Sequence, residues 1–222
     1  DIVRMAHDVG AITLVDGAQW VPHGRTDMQD IDCDFYAFSG HKMLGPTGIG
    51  ILYGKPELLE KMQPFQGGGE MIRSVTMEQS TWNDIPYKFE AGTPNIAQAI
   101  GLGAAVKYIQ GIGLDIIQNH GRDLTKYAMQ QLSQMDAIKI HGDQHERGPV
   151  ISFEVPGVHP QDLAQFLDQD GISIRAGQLC AQPIMDKLGV FSTNRASFYI
   201  YNNEQDIDIF CESIEKTTQI FA

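Results

Sequence analysis

No run of apolar residues in this 222-residue chain approaches the ~18 that a membrane-spanning helix needs, so no membrane span is expected. Positive charge is also scarce. There are 16 Lys and Arg against 28 Asp and Glu, for a net charge of -12. An acidic surface repels phosphate backbones and anionic lipid, which excludes nucleic acid and membranes as expected partners. Cysteine is rare: Cys33, Cys180 and Cys211 are odd in number and share no metal-ligand spacing. A disulfide framework and a metal site are therefore not expected, and a reducing, cytoplasmic setting is. Internal repeats, low-complexity tracts and Gly/Ser linkers are missing too. There is no signal peptide, and the first residue is Asp1, not Met, so the chain is expected to be a piece of a longer protein. What remains is 42% hydrophobic and 20% charged, the balance of a folded chain and not a disordered one.

The apolar pattern alternates between strand and helix. Residues 11–15 (AITLV) are a strand-length run ending in Asp16-Gly17-Ala18-Gln19. A second run, 35–39 (FYAFS), leads into Gly40-His41-Lys42, and a third covers 48–53, with Pro56 opening a short helix. Runs of this kind suit strands buried on both faces in an α/β sheet. Residues 66–94, with Gly67-Gly68-Gly69 and Gly92-Thr93-Pro94, read as an extended loop region, and long loops in compact proteins are usually functional. Helices are predicted over 95–110, with Ile96, Ile100, Ala104 and Tyr108 on one side, and over 114–134, with Ile117, Leu124, Tyr127 and Leu132. Strands near 137–141, 149–155, 172–175 and 196–201 and helices over 160–169 and 204–221 complete a smaller α+β unit. The boundary falls near residue 95, dividing the chain into 1–94 and 95–222.

Individual residues here have ordinary readings. Asp16 suits a turn, Lys42 a solvated surface, and Cys180 a small buried apolar position. Their placement suggests more. Asp16 and Lys42 both follow the ends of strands, where ligands of α/β sheets bind. Ser39 and His41 flank a glycine and can donate to an anion. Cys180 lies beyond a strand and Gly177 in a stretch, 176–183, without apolar periodicity, so an exposed, mobile loop is expected. Arg195 stands just before a predicted strand, and its planar fork suits a carboxylate. Cys33 and Cys211 sit in strand-approach and helix contexts and read as structural.

The ordered set of Asp16, Gln19, Ser39-Gly40-His41-Lys42, Gly67-Gly68-Gly69, Glu90-Ala91-Gly92-Thr93-Pro94, Arg175-Ala176-Gly177-Gln178-Leu179-Cys180-Ala181-Gln182-Pro183 and Asn194-Arg195-Ala196-Ser197 resembles the class V branch of pyridoxal-phosphate (PLP) enzymes. Within it, the cysteine segment is similar to that of group II cysteine desulfurases, the SufS and CsdA type, which include selenocysteine lyase activity. The resemblance covers essentially the whole chain. Gln178-Leu179 stands where members of that group often carry histidines. The group's chains are nearly twice as long, and their N-terminal half supplies further strands, a phosphate-binding turn and a ring-stacking histidine.

The resemblance implies an α/β fold: the C-terminal part of an aspartate-aminotransferase-type large domain, then a small α+β domain carrying the cysteine loop. It implies Lys42 as the Schiff-base lysine, Asp16 as partner of the pyridine nitrogen and Gln19 as partner of the ring's phenolic oxygen. Ser39 and His41 would hold the phosphate, joined by Gly92 and Thr93 from a neighbouring subunit, hence a homodimer. Arg195, with Arg175 as a second cation, would bind the substrate carboxylate. Cys180 would take sulfur from L-cysteine as a persulfide, leave L-alanine, and pass the sulfur to a SufE- or SufU-type acceptor for iron–sulfur cluster assembly. The alternatives are a selenocysteine lyase, another class V aminotransferase, or an inactive piece that serves as a dimerisation or docking module.

Overall fold

A computed structural model describes residues 1–142 and 147–221. They form two compact units, Asp1–Asp115 and Ile116–Ala222. Among the described residues, no single helix is long and apolar enough to cross a membrane.

The first unit opens with a short helix α1 (Ile2–His7), then β1 (Leu14–Asp16), α2 (Met28–Ile31), β2 (Phe35–Ser39), β3 (Gly50–Gly54) and α3 (Pro56–Lys61). The predicted strands form one sheet in the order β1-β2-β3. β1 and β2 run parallel, with Asp16 opposite Ala37, while β3 returns antiparallel, with Gly50 opposite Ser39. The carboxyl ends of β1 and β2 therefore lie side by side. Beneath β2, at the opposite end, a polar knot holds the strand. The Asp34 carboxylate accepts from Thr13 N (2.7 Å), Thr13 Oγ1 (2.9 Å) and His7 Nε2 (2.9 Å), with Lys55 Nζ at 3.4 Å. These bonds, that of the Thr13 amide foremost, hold the Asp34 carboxyl well below the usual carboxylate range.

Residues 66–94 are not wholly loop. They contain a hairpin, β4 (Ile72–Val75) and β5 (Ser80–Trp82), closed by Thr76 N donating to Gln79 O at 2.8 Å. Helix α4 (Ile96–Ile112) follows and buries Leu102, Ala105 and Ile109, leaving Ile96, Ile100 and Tyr108 exposed. The face marked by Ile96, Ile100, Ala104 and Tyr108 in the sequence is thus the outer one, and the helix packs through the other. Leu102 lies against Gly40 and Gly45, where an added Cβ would meet it at 3.3 and 3.0 Å. The sequence boundary near residue 95 marks the start of α4, whereas the units divide after Asp115.

The second unit has α5 (Leu114–Leu132), β6 (Lys139–His141), β7 (Val150–Glu154), α6 (Pro160–Gln169), β8 (Arg175–Gly177), α7 (Gln182–Leu188), β9 (Thr193–Ser197) and α8 (Glu204–Phe221). Its antiparallel sheet has the order β6-β7-β9-β8. The period-2 pattern of β7 buries Ile151 and Phe153 on one face, where Leu124, Leu163, Leu167, Ala196, Ile207, Phe210 and Ile214 complete the core. Phe153 meets Phe210 edge to face, with ring centroids 5.7 Å apart. The opposite face carries the polar residues of the same strands. Two expectations are corrected. The strand predicted at 196–201 lies at Thr193–Ser197, and the stretch expected as a loop over 176–183 begins inside β8 and ends in α7.

Candidate active site

The carboxyl ends of β1 and β2 gather Asp16, Gln19, Ser39, His41 and Lys42, all expected from the sequence. Gly17 N donates to Ala37 O at 2.8 Å, continuing the ladder one residue past Asp16. The chain can turn there because Gly17 has no side chain: a Cβ would overlap the ring of Tyr36, itself 2% exposed. Asp16 closes this turn by accepting from Ala18 N at 2.9 Å through Oδ1, and the carboxylate stays exposed. Gln19 is exposed one turn further on.

After Ser39 the backbone winds into a 3-10 turn, Gly40–Met43, stopped by Leu44 in the left-handed region (φ 64°). Gly40 and Gly45 are pressed together, with Gly45 N donating to Gly40 O at 3.0 Å. This tight turn lifts His41 and Lys42 into solvent while burying Gly40 and Met43. The Ser39 hydroxyl is buried with no hydrogen-bond partner among the described residues. Such an orphan costs about 1–3 kcal/mol unless a ligand satisfies it.

Gly92 and Thr93 belong to a second loop. Gly92, at φ 78°, donates its N–H to Gly69 O at 2.9 Å, which ties this loop to the glycine run 67–69. Asn95, not singled out in the sequence, reaches Gly48 O with its amide at 2.6 Å. Its signal is an Asn in the capping position of α4, where the side chain bonds a distant carbonyl and not its own helix. Thr93 is exposed.

In the second unit, Arg175 on β8 faces Arg195 on β9 directly across the ladder. Like charges in that position repel. Arg195 is half-buried, and its Nε is buried with no partner among the described residues. Burial, and then Arg175, push its guanidinium below its ordinary value. Two cations held together with an unfilled donor make a site for an anion. Cys180 lies three residues beyond β8. It is exposed, and both it (φ 60°) and Leu179 (φ 56°) are left-handed. Cys33 and Cys211 differ. Cys33 is buried and burial pushes its thiol up, while burial pushes Cys211 up to about 11, so both are held as inert thiols.

The first unit's residues fit PLP. An unsatisfied hydroxyl and the crowded Gly40–Gly45 turn make a cradle for a phosphate, a primary amine sits on that turn, and an exposed carboxylate ends the neighbouring strand. Among the described residues no three His, Cys, Asp or Glu side chains gather as they would around a metal ion.

A curated relative called a probable cysteine desulfurase, from Halalkalibacterium halodurans, is 52% identical over 222 residues, covering 100% of this chain and 54% of that protein. The crystal structure of the cysteine desulfurase CsdA from Escherichia coli, in its S-sulfonic acid form, superimposes with a TM-score of 0.94 at 40% identity, over 99% of this chain and 55% of that one. An apo cysteine desulfurase from Thermococcus onnurineus NA1 matches with a TM-score of 0.94 at 39% identity, over 98% of this chain and 55% of that one. The chain spans about half the length of the curated relatives it matches. The model of the class-V aminotransferase family matches residues 1–210, and the chain belongs to that family.

Proposed function

We propose that the protein containing this chain is a PLP-dependent cysteine desulfurase that converts L-cysteine to L-alanine and holds the sulfur on Cys180. The observation that carries this reading is the contrast among the three thiols. Cys180 alone is exposed, on a left-handed turn just past the strand that bears Arg175, while Cys33 is buried and Cys211 half-buried. The relatives named as cysteine desulfurases support it.

PLP, when bound, supplies an electron sink for a negative charge developing at the substrate's Cα. Asp16 would hold a proton on the ring nitrogen, and Ser39, His41 and the Gly40–Gly45 turn would hold the phosphate. Lys42 would anchor the cofactor covalently and, once released, move the Cα proton. Arg195 and Arg175 would fix the α-carboxylate. The Cys180 thiolate would attack the substrate sulfur, forming an S–S bond as the substrate's C–S bond breaks. Cysteine and the thiol thereby become alanine and a Cys180 persulfide, with no further reactant. A SufE- or SufU-type protein would take that sulfur towards iron–sulfur assembly. Exposed Thr93, beside Gly92, and the outer face of α4 (Ile96, Ile100, Tyr108) support a homodimer. Three free thiols support a cytoplasmic setting.

The test uses the whole protein with cysteine, measuring alanine and sulfide and the mass of the enzyme. One sulfur atom should be gained at Cys180 and neither other cysteine, and Cys180→Ser should lose both persulfide and turnover. Borohydride should fix the cofactor to Lys42. Sulfur release by Cys180→Ser at the parent rate would sink the nucleophile assignment. Cleavage of selenocysteine without cysteine turnover would make the protein a selenocysteine lyase.

A further inference from the structure

The polar face of the second sheet contains a continuous row. The ladders set His141 opposite Ser152, Ser152 opposite Arg195, and Arg195 opposite Arg175. Directly paired residues share a face, with Cβ atoms about 4.5–5.5 Å apart. The four side chains therefore rise in line from β6, β7, β9 and β8, away from the core side occupied by Ile151, Phe153 and Ala196. Two nitrogens in this row are buried and find no hydrogen-bond partner among the described residues: Nε of Arg195 and Nε2 of His141. Glu154 Oε1 is 3.5 Å from His141 Nε2 but outside hydrogen-bond geometry, and Lys139 Nζ holds the same oxygen at 2.7 Å. Arg147 donates to the His141 carbonyl at 3.3 Å.

The two orphans are complementary. Arg195 Nε can only donate, a neutral imidazole nitrogen without its proton can only accept, and a serine hydroxyl does both. Ser152 stands between them in the register. We propose that Ser152 and His141 are positioning residues for Arg195. Arg195 Nε–H donates to Ser152 Oγ, and Ser152 Oγ–H donates to His141 Nε2. The guanidinium's two terminal nitrogens are then left free to form a fork with a carboxylate. Neither bond is closed in this structure. The pull of the carboxylate on the guanidinium closes both, as hydrogen bonds at active sites commonly tighten when ligand arrives. This inference rests on the reading that Arg195 holds the substrate carboxylate.

The experiment is steady-state kinetics of the whole protein with cysteine, for Arg195→Lys, Ser152→Ala, His141→Phe and His141→Gln. Ser152→Ala and His141→Phe should each raise KM roughly five- to tenfold, the loss of about one neutral hydrogen bond, with kcat within about twofold. The double variant should be little worse than either single one, because either break opens the same chain. His141→Gln, whose amide oxygen also accepts, should recover most of the loss. Arg195→Lys should raise KM more than any of them. If Arg195→Lys raises KM while Ser152→Ala and His141→Phe leave it unchanged, the positioning chain is refuted and the carboxylate reading stands. If kcat falls with KM intact, the two residues are structural and the inference also fails. An unchanged KM in Arg195→Lys would overturn the carboxylate reading and this inference with it.

Discussion

Replacing Arg195 by methionine should make the protein more stable and much less active. Methionine keeps an unbranched chain of similar reach and removes the charge. In the free protein Arg195 faces Arg175 across the β8–β9 ladder and leaves a buried Nε unpaired. Relief of a directly opposed like-charge pair is worth about 0.2–1 kcal/mol. Removing an unsatisfied buried donor adds about 1–3 kcal/mol. Against these stands the packing of the guanidinium stem, which methionine largely retains. A net gain of about 1–2 kcal/mol follows, and at roughly 2–4 °C per kcal/mol for a chain of this size the melting point should rise. Activity moves the other way. With Arg195 in its proposed role, losing one partner of a charge pair with the substrate carboxylate costs about 2–4 kcal/mol, or roughly 30- to 1,000-fold in kcat/KM. The assay is thermal denaturation of parent and variant, with and without saturating propionate, a carboxylate with no amine to react with the cofactor. Propionate should raise the parent's midpoint and leave the variant's unchanged. A variant that melts below the ligand-free parent would refute the argument, because the arginine pair would then be stabilising by itself.

Other outcomes follow from the first unit. Asp34 is a carboxylate with a lowered pKa, so its contribution is complete above the ordinary carboxylate value of about 4 and is lost as pH falls towards its folded-state value. Asp34→Asn should be less stable at pH 7 and show a flatter acid limb in denaturation; a steeper limb would contradict the assignment. Gly17→Ala should destabilise by about 1–3 kcal/mol through collision with the buried Tyr36 ring, measured by urea denaturation, and an unchanged midpoint would show that the turn can open. Asp16→Asn should preserve the turn, because the amide oxygen still accepts from Ala18 N, while turnover falls ~10²-fold or more with cofactor still bound. Near-parent turnover would remove Asp16 from the chemistry.

The parts of this structure that the sequence discloses are those written locally. The runs 11–15, 35–39 and 48–53 end in turn residues, and the ends of the first two became the carboxyl edge holding Asp16, Ser39 and Lys42. The hairpin of β4 and β5 was hidden because IRSV and STW carry no apolar alternation and stand mostly exposed. β9 was misplaced for the opposite reason. It lies inside the sheet between β7 and β8, so Thr193 and Asn194 are buried despite their polarity, and the apolar Phe198–Tyr201 follows it. Helix α7 did carry a signal, Pro183 in its first turn, masked by the reading of 176–183 as loop. The stripe of Ile96, Ile100, Ala104 and Tyr108 on α4 carried no sign of which way it faces, because periodicity marks a stripe without saying what covers it. The row from His141 to Arg175 was beyond reach, since register between distant strands is not a property of any local segment.

The turn at Leu179 and Cys180 has a consequence for substitution at position 180. A left-handed backbone costs an L-residue about 1–2 kcal/mol relative to the right-handed form, and glycine escapes that cost. An exposed side chain also contributes little burial in return. By conformational preference alone, then, glycine is the residue this position favours, with asparagine next and any β-branched residue last. Cys180→Gly should yield a protein that folds somewhat better than its parent. A thiol persisting where the main chain would sooner do without a side chain finds no justification in folding, which accords with the sulfur chemistry proposed for Cys180.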